Sequence, residues 1–75
     1  MDVPALLWAR EALGTDEQRA IDKLAGARKA PADLVMRARI VNLSWAGMRV
    51  SAIAAELGCG RKAVRWWLHR FNALG

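Results

Sequence analysis

Apolar and polar positions alternate in short blocks that glycine and proline punctuate, and this pattern predicts five helices. The first spans residues 3–13, with Asp2 as N-cap, Pro4 in the first turn and Gly14 just past the end. The second opens on Thr15-Asp16-Glu17-Gln18 and runs to 25. Thr15 as N-cap and Gln18 at the third helical position would form a capping box, each side chain satisfying a backbone donor of the other. Residues 28–30 form a connector. Pro31 then starts a long helix to 46, closed by Gly47, and two shorter helices follow at 50–57 and 61–72.

The long helix is apolar on two sides. At about 100° per residue, Leu34, Trp45, Ala38 and Val41 share one stripe. Met36, Ile40 and Leu43 lie nearly opposite, with Arg37, Arg39, Asn42 and Ser44 in the gaps. Such a helix is buried between two partners. It is therefore expected at the centre, with the N-terminal helices on one side and the last two on the other. The predicted class is all-α: a small bundle of about five helices with a C-terminal helix-turn-helix.

That last motif rests on the run VSAIAAELGCGRKAVRWW from Val50 to Trp67. Two short helices crossing steeply need a small residue where they touch, and Ala54 fits. Their turn needs a residue that tolerates positive φ, and Gly58 supplies it. Val64 and Trp67 then point back into the core, with Ile53, Leu57 and Cys59 filling the remaining apolar positions. This set of spacings is the helix-turn-helix pattern; an ordinary helical hairpin is the plainer alternative.

Composition supports helix. Fifteen of the 75 residues are alanine, Val and Ile together come to eight, and Thr occurs once, a balance that disfavours strand. At this length one small core forms, without room for a catalytic domain beside it.

Charge sharpens the picture. The net charge is +5 and the isoelectric point about 10.7, but the halves differ. Residues 37–75 carry seven basic groups against Glu56 alone, while residues 1–36 carry five basic and six acidic groups. A basic second half implies a polyanion partner, with nucleic acid ahead of an anionic membrane surface. On the last helix, Ala63, Val64, Trp67, Leu68 and Phe71 form the inward arc. Arg61, Lys62, Arg65, Trp66, His69, Arg70 and Asn72 occupy the other half. A cationic face can be merely solvated. In a helix-turn-helix frame it is the chemistry of a helix in the major groove, where Arg binds the guanine edge or a phosphate. The candidate DNA-binding residues are Arg61, Lys62, Arg65, Trp66, His69, Arg70 and, just before the preceding helix, Arg49.

Other chemistries find little support. Cys59 is a lone cysteine, which excludes an internal disulfide and reads as a small buried hydrophobe. Cys59 with His69 makes no metal site, and no cofactor is expected. Nothing positions Ser51, His69 and an aspartate as a triad, so no enzyme is expected. No small-molecule ligand is evident. No apolar run reaches about 18 residues, and the start lacks a basic leader, so neither a membrane span nor a signal peptide is expected and the location is read as cytoplasmic. Trp8, Trp45 and Trp67 are read as core, and Trp66 as a surface group between Lys62 and Arg70.

Residues 15–75 resemble the N-terminal helix-turn-helix region of mariner-like insertion-sequence transposases, within the homeodomain-like group. The resemblance is carried by TDEQRAIDKL, APADLVMRARIVNLSWAG and SAIAAELGCGRKAVRWWLHRFNALG, and is most specific from Ile53 to Phe71. It implies that the last helix reads double-stranded DNA at transposon ends, with Arg61, Lys62 and Arg65 facing DNA and Arg70 flanking them. Gly60 departs from the serine common in that family, which removes a hydroxyl that would contact phosphate. The family commonly continues into a second helical unit and a catalytic domain with metal-binding carboxylates, and this sequence carries neither. The alternatives are a stand-alone transcriptional regulator and a protein-interaction module using the basic face. Residues 1–14 match nothing in the family. Their spread of apolar side chains predicts a homodimer contact through Leu6, Leu7 and Trp8, or cover for the long helix within one chain.

Overall fold

The computed structural model describes residues 7–74. Among them are four helices and no strand: α1 (Thr15–Ala25), α2 (Ala32–Trp45), α3 (Val50–Leu57) and α4 (Arg61–Leu74). The four correspond to the last four helices predicted, with ends shifted by at most two residues.

α2 is central, in close contact with each of the other three helices, while α1 approaches α2 alone. Its two apolar stripes serve different partners. Ile40 joins Val50, Ile53, Ala54, Val64 and Leu68 in the buried cluster, with Met36 and Leu43 packed against it. Ala38 and Val41 turn the other way, toward Ile21 and Leu24 of α1. Ile40, Ile53, Val64 and Leu68 are wholly excluded from water; at roughly 1.5–3 kcal/mol per fully buried aliphatic side chain, they hold α2, α3 and α4 together.

Two glycines end helices in the left-handed conformation. Gly47 (φ 95°) closes α2: its amide donates to the Ser44 carbonyl, and the Met48 amide to the Leu43 carbonyl. Gly58 (φ 67°, ψ 33°) closes α3, and the Cys59 amide donates back to the Ala54 carbonyl at 3.0 Å. The first is the Schellman arrangement; at Gly58 the Gly58 and Cys59 amides both converge on the Ala54 carbonyl, and each turn satisfies last-turn carbonyls at the cost of a φ that only glycine adopts freely.

The helix expected at 3–13 is absent over residues 7–13, and its earlier residues lie outside the described ones. Residues 7–12 instead form an irregular strap. The Ala9 amide donates to Ser44 Oγ (2.8 Å) and the Arg10 amide to Asn72 Oδ1 (2.7 Å). In return Trp45 Nε1 donates to the Arg10 carbonyl (2.7 Å) and Asn72 Nδ2 to the Trp8 carbonyl (2.9 Å). Side chains of α2 and α4 thus satisfy backbone groups that a helix would have paired internally. Leu7 and Ala9 pack on the buried cluster of their own chain. Trp8, expected in the core, is 37% exposed.

The capping box also fails. Gly14, not Thr15, is the N-cap of α1, and no side chain caps it. Glu17 is held elsewhere: its carboxylate takes both Arg10 terminal nitrogens (2.8 and 2.7 Å) and the Leu13 amide (2.8 Å). This ion pair ties the strap to α1, and the Arg10 guanidinium also lies 4.2 Å from the Phe71 ring centre. The Arg10 hydrogen bonds, then the Leu13 amide, hold the Glu17 carboxyl down at about 2.

Candidate nucleic-acid interface

The turn Gly58-Cys59-Gly60 fixes how α4 leaves α3. With Gly58 left-handed and Ala54 only 5% exposed, the two helices meet closely and cross through a three-residue turn, the connection a helix-turn-helix requires. Cys59 is half-buried rather than buried, packed at the edge of the cluster. Val64 and Leu68 anchor α4 in the core; Trp67 packs beside them and Phe71 meets Trp45 edge-on at 6.0 Å.

This anchoring dictates what faces outward. Arg61, Lys62, Arg65, Trp66, His69 and Arg70 are all exposed on α4, and Arg49, the N-cap of α3, is exposed as well. The first turn of α4 holds no acid, so the partial positive charge of the helix N-terminus adds to Arg61 and Lys62 and favours an anion there. The outward row is not featureless charge: the Arg70 guanidinium sits 4.9 Å from the centre of the Trp66 ring, which stands edge-on against Trp67 at 4.5 Å. Trp66 keeps 53% of its surface exposed.

Three residues of the basic half are used otherwise. Arg37 lies 3.8 Å from the centre of the Trp67 ring, and Arg39 Nε donates to the Ala25 carbonyl of α1. Asn72, which falls on the basic side of the helical wheel, is half-buried and holds the strap. A wheel drawn for one helix cannot show these roles, because their partners lie on other elements. Among the described residues no group of His, Cys, Asp and Glu could hold a metal ion, and no helix is long and apolar enough to cross a membrane.

Comparison with protein families matches residues 31–75, more than half of the chain, to the homeodomain-like domain. The chain belongs to this family. In the homeodomain-like domain the three helices are α2, α3 and α4, and α4 takes the place of the helix that enters the major groove in homeodomains. α1 and the strap lie outside the matched residues. No curated protein and no solved structure matches the chain.

Proposed function

We propose that this homeodomain-like domain binds double-stranded DNA sequence-specifically, with α4 in the major groove. The observation that carries the reading is the outward row of α4. Its exposed cations stand on a helix whose opposite face is locked into the core by Val64 and Leu68. In this pose Arg61 and Arg65 reach base edges, while Lys62, Arg70 and Arg49 neutralise phosphates. Trp66 and His69 border the same face. It is a binding role and not a catalytic one, exercised in the cytoplasm.

The finer role we assign is recognition of transposon ends, on the resemblance to mariner-like transposases. A stand-alone regulator uses the same surface but pairs to span two half-sites. The strap bears on that choice. Leu7 is half-buried against its own domain, Leu6 lies outside the described residues, and Trp8 and Leu13 are exposed. Selection of bound sequences from a random duplex library tests the proposal. One asymmetric site supports transposon-end recognition, two inverted half-sites support the regulator, and no enrichment refutes specific DNA binding.

A further inference from the structure

Because α1 approaches only α2, a cavity of about 320 Å³ is left between α1, α2 and α4. Its volume is at the lower end of the range for small-molecule sites. Ile21, Leu24, Leu34 and Val41 make its walls chiefly apolar, and Arg10, Arg37 and Arg70 also line it. Each guanidinium is steadied on an aromatic ring: Arg10 on Phe71, Arg37 on Trp67, Arg70 on Trp66. Glu17 is the one acid in the lining, and both its oxygens are taken by Arg10. Among the described residues Arg37 has no ion-pair partner, and its buried Nε has no acceptor, as is also true of Arg10 Nε. The Arg37 charge therefore remains without an anionic partner in an apolar-walled cavity, while Arg70 stands exposed at its rim.

We propose that this cavity binds a small organic monocarboxylate with a flat apolar body. The body would fill the space between Ile21, Leu34 and Val41, and the carboxylate would accept from the Arg37 guanidinium, which the Trp67 ring already orients. The apolar walls disfavour a bare inorganic anion, and the Glu17 carboxylate disfavours a dianion. This site does not depend on DNA binding: it opens beside α1, its carboxylate partner is Arg37, and Arg70 at its rim is the one lining residue it shares with the proposed DNA face.

The test is titration of naphthoate into the full chain, followed by two-dimensional amide NMR, with naphthamide and inorganic phosphate as comparison probes. Saturable shifts are expected at Ile21, Leu34, Ala38 and Trp67. Naphthamide, and naphthoate with Arg37→Gln, should bind about tenfold more weakly or worse, the loss of a charge-assisted hydrogen bond. Leu34→Glu, at the partly exposed edge of the cavity, should weaken naphthoate without disturbing the core, and Arg65→Gln should leave it unchanged. The proposal is overturned by any of four results: no saturable shift, equal affinity for naphthamide, displacement by equimolar phosphate, or shifts centred on Arg61 and Arg65. Cavity amides that move with protein concentration alone would also overturn it, since a second copy would then be the occupant.

Discussion

Gly58→Ala isolates the backbone requirement of the helix-turn-helix. A Cβ added at Gly58 meets nothing within 4 Å, so no clash contributes. What remains is the φ of 67°, which costs an L-residue roughly 1–2 kcal/mol in the left-handed region. For a domain of this size each kcal/mol lowers the Tm by about 4–8 °C, so a fall of roughly 5–15 °C is expected. Gly26→Ala is the matched control. Gly26 also caps a helix, but at φ −99°, and its added Cβ would make only ordinary contacts with the Asp22 and Lys23 carbonyls. There alanine is strain-free and should leave the Tm unchanged or raise it by the equivalent of about 0.4–1 kcal/mol, through the unfolded chain. Thermal unfolding followed by circular dichroism reads both. Equal Tm values for parent and Gly58→Ala would refute the left-handed turn, and with it the stated crossing of α3 and α4.

Two further expectations concern the strap and the outward face. Because Arg10 holds the Glu17 carboxyl at about 2, below its usual 4.5, Glu17 ionises more readily folded than unfolded. Its stabilising effect is full above about pH 4.5 and disappears as pH falls toward 2. The Tm difference between parent and Glu17→Gln should follow that course, and a difference that persists at pH 2 would contradict it. Trp66 and Trp67 should separate function from stability: Trp66→Ala should cost no more than about 0.5–1.5 kcal/mol, the worth of its edge-on contact with Trp67, yet weaken duplex binding. Trp67→Ala should lower the Tm markedly, and the reverse order would refute the assigned faces.

What could be read in the sequence was local. Gly58 and the spacing from Ala54 to Val64 and Trp67 define the helix-turn-helix within a few turns of chain, so α3, its turn and α4 were legible. The two stripes of α2 announced its central place for the same reason. The strap was not legible, because its backbone partners, Ser44 and Asn72, lie 35 and 62 residues along the chain. Without them residues 7–13 carry an ordinary helical composition. The capping box failed although Thr15 and Gln18 have the right spacing: α1 begins one residue earlier, with Gly14 as N-cap and Thr15 already helical, and the Leu13 amide finds the Glu17 carboxylate. Of the candidate interface, every side chain proposed to face DNA is exposed. The stacking of Arg37 on Trp67, and the cavity beside it, needed the packing of α4 against α2.

The most direct test of the central claim is titration of a fluorescent duplex bearing the selected sequence, across a range of salt concentrations. If Lys62, Arg70 and Arg49 neutralise phosphates, affinity should fall steeply with salt, with a log–log slope of roughly −3. A contact to a base edge should reveal itself in Arg61→Ala or Arg65→Ala as a loss of about 1–3 kcal/mol on the selected duplex, with little change on a scrambled one. A loss shared by both duplexes, with a slope flatter by about one, would reassign that arginine to a phosphate. Parent-like binding by both variants, or binding indifferent to salt, would contradict the assignment of α4 as the DNA-reading helix.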